Sequence, residues 1–206
     1  MAKMRRSLSV DKGLGSISQP LPAPVDRLFY VRGNTQVSSP ACNPRIPPLL
    51  REASLVVLGP GSLFTSLIAS LVLPGVGEAM AAARGRATRV LALNSGPDRE
   101  SGSMPASGFV ECVVGALSRY GELDFKANDV LDAVLVSQNS AVDVDDPALV
   151  GIGIDVIRLP CICPSGGLHT PAQWHEAGEL CPQVLRGVIE ESMGSRKAQQ
   201  MRMAYF

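Results

Sequence analysis

The chain lacks an excess charge of either sign. Its 206 residues carry 19 Lys and Arg against 19 Asp and Glu, a formal net charge of +0. A balanced chain offers no electrostatic argument for nucleic acid or for an anionic membrane surface as a partner. Long apolar runs are missing as well. The best membrane candidate, Leu63 to Val76, is too short to span a bilayer, and Ser, Thr and Pro interrupt it, so it reads as a buried helix. Aromatic residues are few, at 4%. Cysteines number five, an odd and scattered set (Cys42, Cys112, Cys161, Cys163 and Cys181), which is not a disulfide framework. The expectation is reduced thiols in a cytoplasmic setting. Cys161 and Cys163 are one residue apart, and His169 and His175 are six apart, so neither pair has the usual zinc-ligand spacing. Incidental thiols and surface histidines are favoured over a metal site. Neither an internal repeat nor a low-complexity domain is present.

What is there is a pattern of strands alternating with helices. The most telling stretch begins with the apolar run Leu55-Val56-Val57-Leu58, which has the composition of a strand buried on both faces. It stops at Gly59-Pro60-Gly61-Ser62, and helical character follows, with hydroxyls at Ser62, Thr65 and Ser66. A strand, a small-residue turn and a helix start can together bind an anion, because the first amides of the helix have no partner within it. The same turn can instead serve only to pack a helix closely on a sheet. It is not a dinucleotide fingerprint, whose spacing differs, and no Lys follows the second glycine as a Walker A loop requires.

The segment GPGSLFTSLIASLVLPGVGEAM resembles the superfamily of 2-phospho-L-lactate transferase and the bacterial gluconeogenesis factor. The resemblance includes the second turn, Pro74-Gly75, and Glu78-Ala79. It continues through the strand Arg89 to Leu93 with Asn94 at its end, the run Pro97 to Ser101, Ser107 to Val110, and Leu131 to Asn139. Ala69 stands where the family often has Pro, and Gly108 where it commonly has Asp. The family's glycine-rich first loop and acidic segment have no counterpart, so the chain is expected to correspond to the C-terminal half of the family fold. That resemblance implies two kinds of function. One is transfer of a phospholactyl-type group from a nucleoside diphosphate donor, with Mg²⁺ on the diphosphate. The other is non-catalytic binding of a nucleotide-sugar by a regulator of carbon metabolism or cell shape. An inactive fragment is the third reading.

Further strands are expected at Arg27 to Val31, Val90 to Leu93, Ala133 to Val136 and Val150 to Leu159. Pro44 to Glu52 reads as a short helix or a turn, and helices are expected at Leu63 to Leu73, Gly77 to Arg84, Gly108 to Tyr120 and within Glu179 to Gln200. Residues 1–24 read as a disordered basic tail, 25–157 as the α/β domain, and 158–206 as a loop-rich extension with a terminal helix. The fold class is thus α/β, a three-layer Rossmann-like parallel sheet with helices on both faces, incomplete at the N-terminus. Ligands of such sheets gather beyond the C-terminal strand ends. That rule brings Gly59 to Ser66, Asn94 to Ser101 and Ser137 to Asn139 to one rim. Amides at Gly61 and Ser62 are expected to cradle phosphate, with hydroxyls from Ser62, Thr65 and Ser66. Asn94 offers donor and acceptor, Arg99 a bidentate cation, and Asp98 and Glu100 a hold on a ribose hydroxyl, a metal ion or a reacting group. Arg99 and Glu100 read equally as an exposed loop ion pair. The expected partner is a small phosphorylated ligand, without nucleic acid or membrane, in a chain able to form a homo-oligomer.

Overall fold

The computed structural model describes residue 21 and residues 25–37, 40–94, 96–97, 100–138, 140–159 and 203–205. Two short strands come first. β1 (Tyr30–Arg32) and β2 (Thr35–Val37) form an antiparallel hairpin with Tyr30 opposite Val37. After helix α1 (Ile46–Glu52) comes β3 (Leu55–Leu58). The chain then turns into a π-helix, Leu63–Ile68, continued by α2 (Ala69–Leu71) and, after a bend, by α3 (Val76–Ala82). β4 (Thr88–Ala92), α4 (Ala106–Leu117), α5 (Ala127–Val130), β5 (Ala133–Ser137), α6 (Asp146–Gly151) and β6 (Asp155–Leu159) complete the alternation, with β7 (Met203–Tyr205) last. The main sheet is parallel, in the order β6-β5-β4-β3-β7.

The α/β class read from the sequence is the class observed. Every residue of β3 is buried, as its unbroken apolar run requires. Val56, Leu58, Leu91, Val134 and Val136 join one core with Leu63, Phe64, Met80, Val113 and Leu117 of the helices. Their alternates on the other face, Leu55, Val57, Val90 and Leu135, are equally buried. The described helices form one layer: α1 packs on α3, α3 on α4 and α5, and α4 on α6. Helices were expected on both faces; among the described residues they cover one, while the expected tail and terminal helix lie outside the described residues.

Three local readings are corrected. Arg27 to Val31 is not a strand of the main sheet, because Gly33, at φ 61°, turns Tyr30–Arg32 back into a hairpin. In Val150 to Leu159 the strand begins only at Asp155. Pro147 favours a helix start, and Gly153, at φ 77°, follows the helix that results. The helix expected from Gly108 begins at Ala106, immediately after Pro105.

One polar contact fixes the N-terminal end of the sheet. Arg89 lies beside Val56 on the helix-covered face, with a fully buried side chain. Its Nε and Nη2 donate to the Asp132 carboxylate at 2.9 and 2.7 Å. Nη1 donates to the carbonyls of Met80 and Asp129, and Nη2 also to that of Asn128. All five guanidinium hydrogens thus have acceptors. Asp132 further accepts from the Arg89 amide at 2.7 Å. A cation is tolerated here because it is paired and fully hydrogen-bonded. Asp132→Ala should cost about 3–5 kcal/mol, since it seals an unpaired guanidinium in the core. Arg89→Met should cost less, because the Asp132 side chain is 37% exposed and reaches water. Urea denaturation of the two variants checks that order.

Candidate functional site at the C-terminal strand ends

The end of β3 is shaped by two glycines. Gly59 has φ 87°, and a Cβ there would stand 2.8 Å from the Ala92 carbonyl of β4. Any side chain would therefore collide with the neighbouring strand. Gly61 lets the turn close onto the helix, with Ser66 Cβ only 3.1 Å from where its own Cβ would be. The helix then begins with wide turns: the Ser62 carbonyl accepts from the Ser66 amide at 3.0 Å and the Leu67 amide at 3.2 Å. Ser62 occupies the cap position, yet its hydroxyl makes no capping bond.

Glu100 makes that bond instead. Its Oε2 accepts from the amides of Phe64 at 2.9 Å and Thr65 at 3.2 Å, and Oε1 accepts from the Thr65 hydroxyl at 2.7 Å. Asn94 Nδ2 donates to the Gly61 carbonyl at 3.1 Å, tying the tip of β4 to the glycine turn. Gly59, Gly61, Ser62, Thr65, Ser66, Asn94 and Glu100 are therefore one cluster, as their placement beyond β3 and β4 implied. Asp98, Arg99 and Asn139 lie outside the described residues.

The expectation of open amides at the helix start is corrected at Phe64 and Thr65. The chain's own carboxylate takes these two amides, because unpartnered N–H groups and the helix dipole attract the nearest negative side chain; the Gly61 and Ser62 amides, expected to cradle phosphate, are not the ones it holds.

The same device recurs one crossover further along. The amide and hydroxyl of Ser107, in the first turn of α4, both donate to the Asp145 carboxylate, the amide at 2.9 Å. The neighbouring Ala106 amide donates to the Asp143 carbonyl at 2.9 Å. Burial acts to raise the Asp145 carboxyl, but the Ser107 hydroxyl and amide outweigh it and hold it below the ordinary aspartate value. This pairing was not read from the sequence, although Asp145-Asp146-Pro147 carries a turn signal. The second turn of the family-like segment is also structural. Glu78 accepts from the Gly75 amide at 3.0 Å at the start of α3, and from Arg119 at 2.6 Å. Gly77 faces the Leu117 carbonyl, which a Cβ would approach to 2.1 Å.

Among the described residues no three His, Cys, Asp or Glu side chains converge as a metal site. Both Glu100 oxygens accept hydrogen bonds from the start of the helix, Oε2 from two amides and Oε1 from the Thr65 hydroxyl. Cys42 and Cys112 are free thiols whose pKa burial raises. Cys161, Cys163, Cys181, His169 and His175 lie outside the described residues. No single helix among the described residues is long and apolar enough to cross a membrane. The bent pair Leu63–Leu71 and Val76–Ala82 supplies Leu63, Phe64, Leu67, Ile68 and Met80 to the core instead.

A parallel sheet with a glycine turn and a laced polar rim at its C-terminal edge defines a Rossmann-like α/β protein. The sequence model of the family described as 2-phospho-L-lactate transferase CofD matches residues 10–152, and the chain belongs to that family. It is 28% identical over 141 residues to the uncharacterized protein YNL011C of Saccharomyces cerevisiae, covering 63% of this chain and 32% of that one. A Mycobacterium leprae protein provisionally named a gluconeogenesis factor is 41% identical over 135 residues, covering 62% of this chain and 36% of that one. The chain thus spans about a third of the length of these relatives. The fold is similar to that of the crystal structure of protein BH3568 from Bacillus halodurans. The TM-score is 0.51 at 20% identity, over 66% of this chain and 43% of that one. A second crystal structure of BH3568, described as a member of the UPF0052 family, gives the same TM-score at 21% identity, over 68% and 47% of the two chains.

The Asp145 cap has a pH signature. An aspartate held below its unfolded value of about 3.9 stabilises the fold fully above that pH, and loses the contribution as pH falls through the folded value. Wild type should therefore lose more stability than Asp145→Asn between about pH 5 and pH 2. Urea midpoints measured across that range check the difference in slope.

Proposed function

We propose that this CofD-family chain binds the phosphate-bearing part of a nucleotide or nucleotide-sugar at the rim of Gly59 to Ser66, Asn94 and Glu100. One observation carries the reading: a carboxylate already rests on the Phe64 and Thr65 amides and the Thr65 hydroxyl. A carboxylate is the nearest internal stand-in for phosphate oxygens, so those donors have the geometry an oxyanion needs. In this reading the ligand's phosphate takes the Gly61 and Ser62 amides and the hydroxyls of Ser62, Thr65 and Ser66 as Glu100 moves off. Asn94 holds the turn in shape. Arg99, next in sequence to Glu100, supplies the compensating positive charge.

Binding without turnover is the first reading, supported by the gluconeogenesis-factor name of the M. leprae relative. Group transfer is the second, supported by the family's description as a transferase. Its chemistry would be positioning and electrostatic stabilisation of the moving phosphorus-containing group.

Isothermal titration of the folded chain with a UDP-sugar and with GDP tests the proposal. Binding of one of them is expected, and Ser62→Ala combined with Arg99→Ala should weaken it by about 1–3 kcal/mol. Glu100→Gln should tighten it about tenfold by removing the competing charge. Absence of binding heat with both ligands overturns the reading, and unchanged affinity in the double variant places the site elsewhere. A transfer assay with a deazaflavin acceptor separates turnover from binding.

A further inference from the structure

The β1–β2 hairpin stands apart from the main sheet and carries an uncovered apolar edge. Phe29 is 58% and Val31 59% exposed, while the Tyr30 hydroxyl between them donates inward to the Ala69 carbonyl. All three residues of the strand are exposed, Tyr30 less so than its neighbours. The two-residue loop Gly33-Asn34 makes Arg32 and Thr35 the closing, hydrogen-bonded pair, so the main-chain groups of Tyr30 and Arg32 turn toward β2. The Leu28 amide points the same way and donates to the Tyr120 hydroxyl at 3.0 Å. Those of Phe29 and Val31 are left on the outer edge. A two-stranded sheet is marginal alone, and an exposed apolar edge strand is a template for another strand.

The edge is also self-complementary in charge. The Asp26 side chain is 92% exposed, and its ion pair is a loose 3.6 Å contact with the adjacent Arg27. Arg32 is exposed and has no ion pair among the described residues. In an antiparallel pairing of two copies about a twofold axis at Phe29, residues whose numbers sum to 58 face one another. Phe29 meets Phe29, Arg27 meets Val31, and Asp26 meets Arg32 twice over. The outward main-chain groups of Arg27, Phe29 and Val31 are those that this register would hydrogen-bond. We infer that the outer edge of β1 docks a second copy of this chain, giving a closed four-stranded sheet across a twofold axis.

Sedimentation of the full chain over a concentration series tests the pairing. A reversible dimer is expected, weakened at least about tenfold by Val31→Lys. Asp26→Arg and Arg32→Asp should each weaken it, and the double variant should restore it. Far-ultraviolet circular dichroism of each variant confirms that the body of the fold, which these exposed side chains do not enter, is unchanged. A monomer at all concentrations overturns the inference. So does a dimer indifferent to Val31→Lys, a charge swap without rescue, or open-ended aggregation in place of a dimer.

Discussion

A guanidinium with no access to water sets the geometry at the N-terminal end of this fold. Arg89 enters the sheet among aliphatic neighbours, where an unpaired cation is intolerable. It is accommodated only because Asp132 stands just before β5 and because α3 and α5 present their carbonyls to the same point. Two strands and two helices are thereby fixed relative to one another. The Asp132 amide in turn donates to the Arg89 carbonyl, and the Asp155 amide to the Asp132 carbonyl, which carries the register on into β6. With the lower end so fastened, the loops at the upper end are free to carry polar chemistry.

At that upper end the polar groups are largely spent on each other. The helix after β3 is capped by Glu100 from the loop after β4, and the helix after β4 is capped by Asp145 from the loop after β5. Each crossover supplies the acid that its predecessor's helix lacks. The arrangement stabilises the rim and occupies the Phe64 and Thr65 amides, next to the Gly61 and Ser62 amides expected to hold phosphate. Under the proposed function, ligand entry at the glycine turn would exchange one anion for another, with affinity set by how readily Glu100 gives way.

Much of this was legible in the chain. The burial of Leu55 to Leu58, the glycine turn, the strand ending near Asn94 and the gathering of Thr65, Asn94 and Glu100 follow from apolar runs and from the topology of parallel sheets. The partner of Glu100 was not legible, because a contact between residues 64 and 100 leaves no local periodic signal. Arg89 was hidden for the same reason: within Arg-Val-Leu-Ala-Leu it reads as a strand's polar edge, and its burial depends on Asp132, far along the chain. Gly59 reads as a phosphate-loop glycine, yet the Ala92 carbonyl alone accounts for it. Arg27 to Val31 reads as a strand and becomes one only from Tyr30, in a hairpin apart from the main sheet, because a short apolar run has the same composition in either setting.

The staggered caps also constrain which loops can change length. A residue inserted between Asn94 and Glu100 would draw the carboxylate off its amides while Asn94 stayed fastened to Gly61. One inserted between Ser137 and Asp145 would do the same to α4. At Gly33-Asn34 nothing outside the hairpin would feel the addition. Natural variation in loop size, and engineered tags or epitopes, should accordingly be accommodated at the hairpin tip and resisted along the rim.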